Sequence, residues 1–162
     1  MRVGVLALQG AVAEHIRSLE KTGVEGVTVK HVEQLADLDG LIIPGGESTT
    51  IGKLMRKYGF IEAIRDFSGQ GKPIFGTCAG LIVMAKEIEG GEEPHLALMD
   101  IKVSRNAFGR QRESFETDLD VKGLEAPLRA VFIRAPLITA VGDGVEVLAT
   151  YKDEIVTARQ GH

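Results

Sequence analysis

The sequence predicts an α/β fold with a mostly parallel central sheet, followed by an antiparallel β section in its second half. Three observations carry that prediction. Short apolar runs alternate with segments of helical periodicity from residue 1 to about residue 86, the pattern of repeated strand-helix units. Glycine is abundant, at 20 of 162 residues, which suits many tight strand-helix turns. Beyond residue 100 the helical spacing gives way to short β-like runs.

The elements follow in order. Arg2 to Leu8 reads as a first buried strand. Ala11 to Lys21 has helical spacing, with Val12, Ile16 and Leu19 on one face. Gly26 to His31 is a second strand, and Asp39 to Ile43 a third that ends at Pro44-Gly45-Gly46. Ser48 to Tyr58 reads as a helix with Ser48 or Thr49 as its cap. Ile61 to Phe67 is a further helix, and Pro73 to Phe75 a short strand. Leu81 to Lys86 begins another helix. In the second half Ile101 to Ser104, Ser114 to Val121, Ala130 to Ile133, Val145 to Tyr151 and Glu154 to Ala158 read as strands, with a hairpin turn at Asp153.

Composition bounds the function. A length of 162 residues suits a single domain with a core large enough to need no staples. Hydrophobic content of 44% and charged content of 26% are those of a soluble globular protein. A net charge of −4 leaves no basic footprint for nucleic acid. No apolar run reaches membrane-span length. The single cysteine forms no internal disulfide, so a reducing cytoplasm is the expected setting.

That cysteine is also the most informative residue. It lies in Gly76-Thr77-Cys78-Ala79-Gly80, between a strand and a helix. Strand, tight turn, nucleophile and helix make a nucleophile elbow, which projects one side chain above a parallel sheet. The flanking glycines let the backbone bend sharply and a substrate approach. The helix N-terminus is expected to favour the thiolate and lower the thiol pKa. A lone cysteine is more often a small buried hydrophobe; the elbow context reverses that expectation. In open α/β sheets ligands bind beyond the carboxyl ends of the strands, where Pro44-Gly45-Gly46-Glu47-Ser48-Thr49-Thr50 also lies. This loop lacks the Gly-Lys-Ser/Thr ending of a phosphate-binding loop. Its backbone N–H groups suit oxyanion donors instead.

The elbow, the Pro44–Ser48 loop and the strand-helix order together resemble the class I, triad-type glutamine amidotransferase family. Finer matches are similar to the glutaminase subunits of pyridoxal 5'-phosphate synthases: residues 4–10, Glu14-His15, residues 45–50, residues 76–81, residues 106–111 and residues 132–136. The resemblance implies a flavodoxin-like three-layer α/β/α fold. It implies hydrolysis of L-glutamine to glutamate and ammonia, with ammonia passing to a synthase subunit of (β/α)8 type. No cofactor or metal is implied, because pyridoxal phosphate would be a product. Cys78 would be the nucleophile, and the N–H groups of Gly46 and Ala79 the oxyanion hole. Gly46, Glu47, Ser48, Arg105, Ile133 and Arg134 would line the glutamine pocket, and Gln9 and Gly10 would meet the synthase. A carboxylate and arginines are the types that recognise the ends of a free amino acid.

One departure matters. A cysteine nucleophile needs a base, and the resemblance implies a His-Pro-Glu segment that this sequence does not contain. On that ground the 162-residue chain is expected to be truncated at its C-terminus and inactive alone. His15, His31, His95 and His162 are expected to be structural or surface residues, on segments that do not reach the elbow. Competing readings are a non-catalytic subunit binding glutamine or the synthase, an amidotransferase subunit of another pathway, and a cysteine hydrolase or redox sensor on a similar fold.

Overall fold

The computed structural model describes residues 1–105, 114–133 and 135–161. These residues form two compact units: 1–84 with 95–98, and 85–94 with 99–161.

The first unit is a parallel four-stranded sheet with its helices. Strands β1 (Arg2–Leu6), β2 (Glu25–Val29), β3 (Gly40–Ile43) and β4 (Ile74–Gly76) lie in the order β2-β1-β3-β4. Val3 and Val5 pair with Gly40 and Ile42, and Leu41, Ile42 and Ile43 pair with Ile74, Phe75 and Gly76. Helices α1 (Val12–Lys21), α2 (Ser48–Lys57), α3 (Phe60–Gly69) and α4 (Ala79–Met84) connect or follow the strands. The core is apolar and tight. Val5, Ile43, Met55, Phe60 and Ile64 are inaccessible to solvent. The strand-helix alternation read from the sequence holds throughout this unit, with boundaries within a few residues.

Two details differ from expectation. The cap of α2 is not Ser48 or Thr49 but Glu47, whose carboxylate accepts the Thr50 N–H at 2.8 Å. Ser48 is already inside the first turn and is buried, one residue past the position with extended backbone from which a side chain caps. The helix read from Leu81 onward stops at Met84, and the chain passes directly into strand β5 (Ala85–Ile88). Segment 95–98 meets that exit through two hydrogen bonds, Leu96 N–H to Val83 O and Leu98 N–H to Met84 O. The sequence Ile82-Val83-Met84-Ala85 contains no stop signal, so a non-local contact ends the helix.

The second unit is built on a mixed five-stranded sheet in the order β10-β11-β9-β6-β5. Its strands are β5, β6 (Met99–Ser104), β9 (Leu137–Val141), β10 (Val145–Tyr151) and β11 (Glu154–Gln160). The β5–β6 pair is parallel and the others antiparallel. A separate hairpin pairs β7 (Phe115–Leu119) with β8 (Leu128–Phe132). Strand β9 was not anticipated from the sequence. The expected β10–β11 turn is present, with Lys152 and Asp153 both at positive φ, the geometry of a tight primed hairpin turn. No helix among the described residues is long and apolar enough to cross a membrane.

Candidate active site

The site is assembled at the carboxyl ends of β1, β3 and β4, all within the first unit. Strand β4 ends at Gly76, and Cys78 takes a left-handed backbone with φ 52°. A non-glycine residue there costs about 1–3 kcal/mol and persists only where its surroundings impose it. Those surroundings are visible. Thr77 N–H donates to Ile43 O at 3.1 Å, and Gly80 N–H donates to Thr77 O at 2.8 Å. Leu81 and Ile82 N–H both donate to Cys78 O, starting α4. A Cβ on Gly80 would stand 2.1 Å from Ile43 O, and one on Gly76 2.6 Å from the Gly80 backbone. The two glycines therefore let α4 begin directly against β3 and β4, which is what turns the Cys78 side chain outward to solvent.

The loop after β3 lies beside the nucleophile. A Cβ on Gly45 would sit 3.3 Å from Cys78 Cβ. The loop after β1 grips it from the other side. Ala11 N–H donates to Gly45 O at 2.9 Å, and Glu47 N–H donates to Gln9 Oε1 at 2.8 Å. Gly10 has φ 109°, and a Cβ there would fall 2.1 Å from Gly45 O. Gln9, Gly10, Gly46, Glu47, Ser48, Cys78 and Ala79 are thus drawn into one cluster from three separate loops. A trans peptide holds its C=O and N–H on opposite sides, and no peptide is cis among the described residues. The Ala11 contact to Gly45 O therefore fixes which way the Gly46 N–H points.

The thiol pKa runs against expectation. Desolvation by the surrounding protein raises it, and this outweighs the lowering hydrogen bond from the Ala79 backbone. The N–H anticipated at the start of α4 is present, but a helix of six residues has a weak macrodipole, and desolvation of an anion wins. Glu47 caps the helix that follows it. Its Oε2 accepts from both the N–H and the hydroxyl of Thr50, at 2.8 and 2.7 Å.

The histidines separate clearly. His31 caps the short 3-10 turn Val32–Leu35, with its own N–H bonded to Gln34 Oε1. His95 is buried against α2, its Nδ1 3.1 Å from Arg56 Nη1. His162 lies outside the described residues. His15 is the correction. The sequence alone puts it on a segment away from the elbow, yet its Nε2 stands 3.0 Å from Thr77 Oγ1, beside the nucleophile. Burial lowers the His15 pKa, opposed by nearby Glu14, and so favours the neutral imidazole. A signal for this contact was present: α1 follows β1, and β1 and β4 flank β3, so the first turn of α1 rises on the elbow's rim.

The remaining predicted residues are on the second unit. Arg105 directly follows β6 and pairs through Nη1 with the Glu92 carboxylate. Ile133 follows β8 and is exposed. Arg134 and the Asn106–Gln111 string lie outside the described residues.

A family model described as the SNO glutamine amidotransferase family matches residues 5–162. A protein of Niallia circulans named pyridoxal 5'-phosphate synthase subunit PdxT is 76% identical over all of this chain and 85% of its own length. The protein of the same name from Halalkalibacterium halodurans is 65% identical over all of this chain and 83% of its own length. A crystal structure described as a glutamine amidotransferase superposes with a TM-score of 0.93 at 53% identity, covering 98% of this chain and 85% of its own.

Proposed function

The chain belongs to the SNO glutamine amidotransferase family, and from that premise we propose that it is the glutaminase of a pyridoxal 5'-phosphate synthase. In this reading residues 1–162 act as one amidotransferase domain in the cytoplasm. The Cys78 sulfur attacks the side-chain carbonyl carbon of L-glutamine. The oxyanion that forms is met by the N–H groups of Gly46 and Ala79. Collapse breaks the C–N bond, and ammonia leaves with one added proton, giving a thioester. Water then cleaves the thioester to glutamate and restores the thiol. Oxyanion donors of this kind contribute roughly a hundred- to a thousandfold in rate.

The single observation that carries the reading is the strained Cys78 elbow with the Gly45-Gly46 loop against it. Because the neighbouring protein partly desolvates the exposed thiol and raises its pKa, an acid-base partner is needed to form the thiolate and protonate the leaving group. The family resemblance assigns that role to a His-Pro-Glu segment not among these 162 residues. On the same resemblance Gly46, Glu47, Ser48, Arg105, Ile133 and Arg134 bind glutamine. Ammonia goes to a synthase subunit of (β/α)8 type that docks at Gln9 and Gly10. Docking there would act on the hydrogen bonds from Gln9 and Ala11 that set the Gly45–Glu47 backbone. Free subunit is then slower than the complex by roughly a hundredfold or more.

The test is Cys78→Ala in the product of the complete gene, assembled with its synthase. Ammonia release should fall to background while circular dichroism is unchanged. Near wild-type release by Cys78→Ala ends the proposal. Equal turnover by free and assembled wild-type protein ends the docking part alone.

A further inference from the structure

Thr77 is held at three points. Its N–H is bonded to Ile43 O, its carbonyl receives the Gly80 N–H, and its hydroxyl lies 3.0 Å from His15 Nε2. The first two contacts belong to the sheet and to α4 and would exist in any such turn. The third comes from a different element. Helix α1 seats a half-buried apolar face on the sheet, with Ile16 and Leu19 close to Gly26 of β2, and its N-terminal end adds polar contacts. Two of those contacts face the site. Ala11, the residue before the helix, donates its N–H to Gly45 O. His15 is four residues further on, one turn along the same face, and meets Thr77. One helix end thus braces both loops that border Cys78.

The residue after Thr77 is the strained one. Cys78 at φ 52° relaxes toward ordinary backbone unless its neighbours forbid it. Rotation at Cys78 would carry Thr77 with it and break the contact to His15. The contact is partly shielded from water, which strengthens it. The lowered His15 pKa keeps one ring nitrogen able to accept from the Thr77 hydroxyl.

We propose that His15 is a positioning residue of the elbow, whose imidazole holds the Thr77 hydroxyl and thereby keeps Cys78 in the left-handed conformation from which its sulfur reacts. His15 acts through Thr77 and does not itself touch substrate. The kinetic part of the test rests on the glutaminase reading; the thiol-reactivity part does not.

The variants are His15→Leu, Thr77→Val, the double variant and His15→Gln, each in the complete gene product assembled with its synthase. Two quantities are measured: kcat and KM for glutamine, and the rate of Cys78 alkylation by iodoacetamide at fixed pH. His15→Leu and Thr77→Val should each lower kcat about tenfold, the scale of one hydrogen bond, with KM changed less than about twofold. The double variant should be no worse than either single one, because both remove the same contact. His15→Gln places an amide where Nε2 sits and should recover kcat to within about threefold of wild type. Alkylation rates should shift by more than about twofold in His15→Leu and Thr77→Val and return in His15→Gln.

Unchanged kcat and alkylation in His15→Leu overturns the proposal. So does a double variant whose losses multiply. His15→Gln as inactive as Cys78→Ala also overturns it, by making His15 an acid-base group. If His15→Leu does not fold, Thr77→Val and His15→Gln carry the same comparison. Wild-type protein that alkylates at Cys78 yet hydrolyses no glutamine would sink the functional reading and leave the alkylation test standing.

Discussion

Strand β3 of the first unit is buried at all four positions, whereas β10 of the second is fully buried only at Ala149. Both units have an apolar core, that of the second including Ile88, Ile101, Val103 and Ile138; the contrast extends to how closely backbones approach and to what faces solvent. In the first, backbones approach so closely that a methyl group has no room: Gly10, Gly76 and Gly80 each face backbone atoms within 2.6 Å of where a Cβ would stand. Opposite charges face each other across strand pairs in both units, at Arg2 and Glu25 in the first and at several positions in the second. Glu87 is opposite Lys102, Asp118 opposite Arg129 and Glu146 opposite Arg159, each an ion pair at a register position. Close packing specifies geometry to fractions of an ångström; exposed ion pairs specify register and contribute little energy. The nucleophile and the loops around it lie in the unit built the first way.

The sharpest way to break this contrast is a matched pair of glycine substitutions. Gly80→Ala puts a methyl 2.1 Å from Ile43 O, a backbone atom that cannot swing away. It should destabilise the protein by about 3 kcal/mol or more, at the upper end of overpacking costs, and move the urea midpoint accordingly. Gly142→Ala in the second unit meets Asp100 Oδ2 at 1.9 Å, but this is the free end of a side chain. Its cost should stay below about 1 kcal/mol. Equal costs for the two would erase the distinction.

A middle-sized effect is expected at Glu47. Glu47→Ala removes the α2 cap and should cost about 1 kcal/mol. Glu47→Gln keeps an oxygen for the Thr50 N–H and should cost much less. If Glu47 also meets the substrate ammonium, Glu47→Gln should still weaken glutamine binding by about tenfold, the worth of a charge-assisted hydrogen bond. Binding measured in a Cys78→Ala background separates the two roles. Unchanged affinity leaves Glu47 as a cap only.

A smaller effect concerns pH. The His15 pKa lies below its ordinary 6.5 because of burial. As pH falls through 6.5 the unfolded chain takes up a proton that the folded one resists, so stability is complete above that pH and declines below it. The thermal midpoint should drop between pH 7.5 and 5.5, and His15→Gln should flatten that part of the curve. An unaltered slope would show that other groups set it.

The smallest effect should come from Arg129→Ala. Its guanidinium is pulled up in pKa by Glu116 and Asp118, but it is exposed. Solvent screens such pairs, and no resolvable change in the denaturation midpoint is expected. A shift as large as that of Gly80→Ala would mean that surface charge holds the second unit more firmly than its exposure suggests.

Much of the first unit could be read from the chain because its signals are local. The elbow is spelled by five consecutive residues, 76–80, and the β3–α2 loop by Pro44-Gly45-Gly46. Strand-helix alternation follows from apolar spacing over ten or so residues. The family, too, was legible in short strings spread over the chain. Strand β5 was not, since Ile82 to Ile88 contains no boundary that separates strand from helix; β9 was missed although Pro136 and Gly142 bracket the β-branched run from Leu137 to Val141. What only the tertiary structure decided is what depends on atoms distant in sequence. His15 and Thr77 are 62 residues apart, and their contact exists because β1, β3 and β4 are neighbours in the sheet. The direction of the Cys78 pKa belongs with it. The helix start that lowers it is written next to the residue, but the desolvation that raises it is summed over every group folded around the thiol, and no local reading of residues 76–80 contains that sum.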